Sequence, residues 1–323
     1  MLLITGAAGF IGSYFVDFLN KKGLDGLIIS DDFVSYPQKA ANWQSLKYKH
    51  KVERTQLFNF LATTDCNIEA VVHLGARTDT TAKDYAIFQE LNLTFSQKLW
   101  AYCGQKNIPY LFASSAATYG NGEHGFSDTV SPNLLTPLNA YAVSKNEFDK
   151  WLATQPESPA NWYGFKFFNV FGPRENHKGR MASVPFHAFH QVKKTESLNL
   201  FQSHNPLYAH GDQQRDFIYV QDLAQVLYHF ISNRPSVSGL YNLGTGQARS
   251  FNDLAKALFQ ALDLPLKLNY IPTPEDIRDS YQYYTQADVS KLRQAGYTLP
   301  FTSLEAAVKQ YVEYLESLQI NHG

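Results

Sequence analysis

Apolar positions follow two alternating rhythms along the first half of the chain. Leu2–Thr5 is a short apolar run that ends on the segment Gly6-Ala7-Ala8-Gly9-Phe10-Ile11-Gly12. Beyond it Ile11, Phe15, Phe18 and Leu19 recur at the spacing of one helix face, which predicts a helix over Ile11–Lys22, ended by Gly23. Gly26–Ser30 reads as the next strand, and Ala70–Leu74 and Ile108–Ala113 as further buried strands. Tyr85–Cys103 and Tyr141–Ala153 carry helical patterns, and Trp162–Phe168 an extended one. Strand and helix in alternation predict an α/β fold: a doubly wound parallel sheet with helices on both faces.

The regularity ends after Gly172-Pro173. A helical pattern near Met181–Lys194 is followed by a polar loop with Pro206 and Gly211. Val220–Ile231 reads as helix and Leu240–Leu243 as extended, and Ser250 caps a helix running to Leu262. Tyr311–Leu318 lies in the last helix. These elements predict a smaller mixed α/β lobe. The expected division is 1–172 for the first domain, with parts of 210–250 returning to it, and 173–323 mainly for the second.

Composition narrows the class. A net charge of -1 over 323 residues offers no basic surface for nucleic acid. No apolar run approaches the roughly 20 residues of a membrane span. Met1–Thr5 runs straight into glycines with no basic leader before it, so it reads as a strand and not a signal peptide, and a cytoplasmic protein is expected. Cys66 and Cys103 stand apart and are expected to be reduced thiols; no metal site is expected.

The glycines carry the first chemistry. Gly6, Gly9 and Gly12 follow a strand and open a helix, the context a Rossmann dinucleotide site requires. Gly6 permits the tight turn, Gly9 lets the backbone approach a pyrophosphate, and Gly12 lets helix pack on strand; free N–H groups at the helix start meet the phosphates. Asp31-Asp32 closes the second strand. Asp31 suits a ribose 2′-hydroxyl, as in NAD, whereas the 2′-phosphate of NADP needs a cation, for which Lys39, Lys47, Lys49 and Lys51 are candidates. The residues leave both cofactors open.

Tyr141-Ala-Val-Ser-Lys145 sets a phenol and an ammonium four residues apart, on one helix face. A free tyrosine titrates near pH 10, and a neutral-pH base needs roughly three units less, on the order of 4 kcal/mol. An adjacent cation supplies such stabilisation. Ser115, at a strand end ahead of Tyr141, is placed to hydrogen-bond a reacting oxygen. Each piece alone is common; glycine turn, serine and YxxxK in this order define an oxidoreductase-type site. Ala116 and Ala117 follow the serine where sugar dehydratases place an acid and a base. Oxidation and hydride return remain open to this chain; elimination lacks its acid, which favours an epimerase or reductase.

The stretch from Phe168 to Val184, FNVFGPRENHKGRMASV, resembles the signature of the ADP-L-glycero-D-manno-heptose 6-epimerases, within the extended short-chain dehydrogenase/reductases. So do Ala113–Gly120, Arg215–Val220, Tyr241–Gly246 and Tyr281–Asp288, and the resemblance covers nearly the whole chain. It implies that NADP⁺ removes hydride from C6″ of an ADP-heptose, that the transient ketone turns, and that the hydride returns to the opposite face, for lipopolysaccharide core biosynthesis. It implies Tyr141 and Lys178 as acid/base residues, one for each epimer, with Ser115 and Lys145 assisting. Phe10, Ile11, Leu74, Gly75, Ala76, Asn92, Val170 and Lys178 would join Gly6, Gly9, Gly12, Asp31, Asp32, Lys39 and Lys145 around the cofactor. Asn169, Arg180, His187, Phe201, Gln202, Ser203, His204, Arg215 and Tyr281 would hold the ADP-sugar. The resemblance also implies a homo-oligomer, pentamers among the known forms. Two alternatives stand beside it: an epimerase or reductase for a UDP- or GDP-linked sugar, and a non-catalytic dinucleotide-binding protein.

Overall fold

Short apolar runs buried along most of their length form the centre of the molecule, as a sheet covered on both faces demands. The computed structural model describes residues 1–320 apart from 81, 83, 279 and 280. Among these, seven strands form one sheet in the order β10-β6-β5-β4-β1-β2-β3, every neighbouring pair parallel. They are β1 (Leu2–Thr5), β2 (Leu27–Asp31), β3 (His50–Glu53), β4 (Ala70–His73), β5 (Tyr110–Ser115), β6 (Trp162–Phe167) and β10 (Gly239–Leu243). The order reverses between β1 and β4. That switch point leaves a crevice at the carboxyl ends of the strands, where ligands bind in this architecture.

The period-2 alternation of the strands feeds two cores. On one face Ile4, Ile29 and Val72 pack with Phe15, Val16 and Leu19 of the helix Phe10–Lys21 and with Leu223, Leu227 and Phe230 of the helix Val220–Asn233. On the other, Leu3, Ile28 and Val71 meet Leu57 and Leu61, Leu99 and Trp100, and Phe148 and Leu152 from three helices. Each such side chain stabilises the fold by about 1.5–3 kcal/mol when fully buried. The helix predicted from Tyr85 is interrupted: Tyr85–Phe88 is α-helical, Gln89–Thr94 forms π-helical turns, and Phe95–Lys106 resumes the α-helix. Apolar spacing tolerates this change of winding, so the pattern did not reveal it.

After β6 the chain turns out of the sheet at Phe168 and enters β7 (Asn169–Phe171). β7 is parallel to β9 (Gln214–Tyr219), which is antiparallel to β11 (Ala248–Ser250). β8 (Leu198–Phe201) and β12 (Leu268–Ile271) form a separate parallel pair. A third core fills this region, with Ala188, Val192, Leu254, Leu258, Val308 and Tyr311 drawn from the helices Val184–Thr195, Phe251–Ala261 and Leu304–Ile320. Ser250 and Asp253 form a full capping box, as the serine signalled. The helix expected from Met181 begins at Val184 instead, because the Ser183 hydroxyl caps it by accepting from the Phe186 amide. Residues Asn176–Met181 form short 3-10 turns ahead of it.

Candidate active site

The glycine turn builds the floor of a cleft of about 450 Å³ at the switch point. Gly6 has φ +72°, and a Cβ there would lie 2.5 Å from the Gly75 amide nitrogen. A Cβ on Gly12 would lie 2.1 Å from the Gly6 carbonyl oxygen, so β1, its turn and the following helix close only around glycine. The helix starts after Gly9 with no side-chain cap, which leaves its first N–H groups free for an anion. These features fit a dinucleotide pyrophosphate.

Phe10, Ile11, Leu74, Gly75 and Ala76 also line this cleft, as do Asp31 and Lys39. Asp31 accepts from the Ala8 amide at 2.8 Å and the Asp32 amide at 2.7 Å, with Lys39 Nζ at 3.4 Å. Asp32 points away to the Ser35 amide and to Arg54; burial works against its charge, but the bonds from Ser35 and the cations Arg54 and Lys39 hold its carboxyl below the ordinary value. Arg54 itself lines the cleft. Only sheet pairing reveals it: β3 sets Glu53 beside Asp31, so a residue 23 positions on becomes a neighbour.

Asn92 lies behind the wall, buried in the π-helical segment. Its amide donates to the Arg77 carbonyl at 3.0 Å and to the Ser144 hydroxyl at 2.9 Å, and its oxygen accepts from the Arg77 amide at 2.8 Å. It thereby ties the loop after β4 to the helix Ala140–Leu152. His73 joins the same wall. The Ser96 hydroxyl donates to the Asn92 carbonyl, so it accepts from His73 Nε2, leaving Nδ1 to accept from Thr5. Burial, with the charge of Lys145, drives the His73 imidazole down to about 3.

Tyr141 opens the helix Ala140–Leu152, capped by the Asn139 side chain. Ser115, at the end of β5, lies near its phenol. Burial pushes the Tyr141 phenol above its ordinary value; the nearby Ser115 hydroxyl opposes the rise and the Asp149 carboxylate adds to it. Lys145 Nζ donates to the Ala113 carbonyl at 2.8 Å. Burial lowers its ammonium to about 8, against the pull of Asp149. Tyr141, Ser115 and Lys145 are therefore gathered beside the wall that His73 shares with the cleft.

Lys178 lines the cleft from the side of the 3-10 turns, its Nζ 5.4 Å from the Phe10 ring centre. Burial lowers its ammonium and nearby Glu175 raises it. Glu175 is fully buried and anchors this loop. It accepts from the Ser183 amide and hydroxyl, both at 2.6 Å, from the Tyr311 hydroxyl at 2.8 Å and from the Gly172 amide at 3.3 Å. His177, in the same turn, meets the Asn42 side chain at 3.0 Å, and burial with the charges of Lys39 and Lys178 lowers it to about 4.

The remaining candidates lie in the mixed region. Arg215 is buried with its guanidinium 5.4 Å from the Tyr281 ring, which packs on Phe201 at 6.2 Å. Gln202 bonds the Ile271 and Tyr270 backbones, the Ser203 amide donates to His210 Nδ1 at 3.0 Å, and the His204 amide donates to the Tyr283 hydroxyl at 2.8 Å. Asn169 is exposed on β7 with Val170 half-buried beside it, and Arg180 and His187 are exposed.

A dinucleotide cleft with a serine–tyrosine–lysine group against its wall defines a protein of the short-chain dehydrogenase type. The sequence profile of the NAD dependent epimerase/dehydratase family matches residues 2–244, and the chain belongs to that family, whose cofactor is a nicotinamide dinucleotide. It is 43% identical to the ADP-L-glycero-D-manno-heptose-6-epimerase of Fusobacterium nucleatum, covering 97% of each chain. It is 42% identical to the protein of the same name from Nitratidesulfovibrio vulgaris, covering 98% of each. Among solved structures it is similar to the Helicobacter pylori ADP-L-glycero-D-manno-heptose-6-epimerase, with a TM-score of 0.80 at 26% identity over 98% of this chain and 96% of that one.

Proposed function

We propose that this chain is an ADP-L-glycero-D-manno-heptose 6-epimerase, an isomerase inverting C6″ of an ADP-heptose. The observation that carries the reading is Lys178: a lysine partly buried in the dinucleotide cleft, supplied by a different element from the tyrosine–lysine helix. The relatives' shared name agrees with it. Inversion takes a proton from one orientation of the C6″ hydroxyl and returns one to the other. A single base cannot serve both orientations without a long swing of the sugar.

Tyr141 serves one epimer, with Ser115 bonding the reacting oxygen and the Lys145 ammonium stabilising the phenolate. Lys178 serves the other, and its lowered basicity lets it pass part of the time as a free amine. Arg215 offers a planar fork to the diphosphate, with Phe201, Tyr281 and the run Gln202–His204 beside it. Bound nicotinamide supplies the hydride acceptor and donor at C6″. Its NADP form is the reading favoured by Lys39, after β2, and Arg54, directly after β3, two cations lining the cleft where a 2′-phosphate would sit. Residues 1–172 with the returning β10 hold the cofactor and 173–323 mainly the sugar. The protein acts as a cytoplasmic homo-oligomer; among the described residues no helix is long and apolar enough to cross a membrane.

The test is incubation of the purified protein with ADP-D-glycero-D-manno-heptose, following C6″ inversion by NMR, with native mass spectrometry reporting the retained cofactor and the assembly. Turnover of a UDP- or GDP-sugar with no inversion of the heptose would overturn the substrate reading. NAD as the retained species would overturn NADP.

A further inference from the structure

The helix that carries Tyr141 and Lys145 continues one turn to Asp149, on the same face as Lys145. The site as described leaves this carboxylate and its partner unused. Asp149 is buried, and its Oδ2 accepts from Lys166 Nζ at 2.7 Å and from the Ser114 hydroxyl at 2.8 Å. Lys166, on β6, is fully buried and also donates to the Thr118 hydroxyl at 2.7 Å, and Thr118 donates to the Ser115 carbonyl at 2.7 Å. The second oxygen, Asp149 Oδ1, is shut from water and has no hydrogen-bond partner.

An ion pair in this position is a poor way to gain stability. Removing two charges from water costs several kcal/mol per ion, and apolar replacements are often as good or better. An unsatisfied carboxylate oxygen makes the balance worse. The arrangement is intelligible if the carboxylate serves a second cation, and Lys145 is that cation. Its neighbours across the packed elements are neutral: His73 on β4 has lost its proton to burial, and Tyr141 keeps its own. Lys166 on β6 is neutralised by Asp149 itself. Asp149, four residues along the same helix face and beyond ion-pair distance of the Lys145 ammonium, is the buried carboxylate whose charge favours its protonated form.

We propose that Asp149 is a positioning residue of the active site, holding Lys145 as an ammonium beneath Tyr141 while its bonds to Ser114 and Lys166 fix the strand end that carries Ser115. The inference rests on the roles given above to Tyr141, Lys145 and Ser115. It extends the YxxxK pattern by a third member, with Lys166 as the charge that lets a carboxylate remain in the core.

The experiment reads Lys145 directly. The Cε–Hε resonance of Lys145, assigned by its loss in Lys145→Arg, is titrated by NMR in the wild type, Asp149→Asn, Lys166→Arg and the double variant Asp149→Asn/Lys166→Met. The double variant removes both buried charges and keeps an acceptor for Ser114, so it guards against misfolding of the single one. The Lys145 midpoint is expected to move to lower pH in Asp149→Asn and to stay low in the double variant, with Lys166→Arg unchanged. Each unit of descent below ambient pH cuts the ammonium fraction about tenfold. kcat at neutral pH is therefore expected to fall roughly tenfold or more, with KM little changed. An unmoved midpoint in Asp149→Asn, or a double variant that regains wild-type midpoint and kcat, would overturn the proposal. The titration needs no sugar, so a wrong substrate assignment would leave it readable.

Discussion

Lys178 in the cleft and Tyr141 beside its wall stand on two kinds of support. Tyr141 stands in the first turn of a thirteen-residue helix packed on the central sheet, its hydroxyl facing a serine at a strand end. Lys178 stands on 3-10 turns between β7 and the helix Val184–Thr195, beside Gly179, whose φ is +53° and around whose missing Cβ space is open. Each has a buried carboxylate behind it: Asp149 one helical turn beyond Lys145, and Glu175 at the root of the loop. The first carboxylate belongs to the core of the sheet. The second clasps Ser183 and Tyr311, so that the last long helix of the chain holds the loop of Lys178. One proposed proton carrier is rigid by burial, whereas the other is held by a few polar bonds.

The comparison can be broken most directly at its ends. Tyr141→Phe is expected to lower epimerisation by roughly 10³-fold, within the range of a lost acid/base group, with the fold intact by circular dichroism. Lys178→Met is expected to cost roughly 10²–10³-fold. Oxidation assayed separately from each epimer by cofactor absorbance separates the two. Each variant should retain the half-reaction that the other loses, and loss of the same half-reaction in both would break the division of labour.

Glu175→Gln sharpens the contrast. It turns one accepting oxygen into a donor against the Ser183 amide or hydroxyl, a loss of about 1–3 kcal/mol in denaturant unfolding. It also removes the charge that raises Lys178, so the Lys178 ammonium titrates lower still. The acid limb of the Lys178-dependent half-reaction should move to lower pH, with the Tyr141-dependent limb unmoved. The smallest effect is expected at Gly179. No atom blocks a Cβ there, so Gly179→Ala costs only the strain of holding a side chain at φ +53° and ψ -130°, a region essentially reserved for glycine, about 1–3 kcal/mol. A several-fold loss confined to the Lys178 half-reaction, read by the same assay, would show that the loop's conformation matters on its own.

Legibility followed the same divide. Gly6, Gly9 and Gly12, the Ser250 cap and the spacing from Tyr141 to Lys145 are local patterns, and their structural contexts came out as read. Arg54 was missed because only the pairing of β3 with β2 makes it a neighbour of Asp31. The strand Gln214–Tyr219 was missed because both its faces are buried: Phe217 and Tyr219 pack in one core and Ile218 in another, so no alternation of apolar and polar residues marks it. His177 sits in the cleft with no signal beyond its place in the resemblance. The π-helical segment of Asn92 left no mark, since apolar spacing tolerates the change of winding.

By itself, the sequence determined the doubly wound core, the phosphate turn and the phenol–ammonium pair, because each depends on contacts within a few residues or on a repeating apolar period. Tertiary structure alone decided that Lys178 is drawn into the cleft, that Glu175 and Asp149 are buried behind the two proposed proton carriers, and that Lys166 meets Asp149. Those pairings join residues from separate elements, and the low-dielectric interior that gives their charges force exists only once the chain has closed around them.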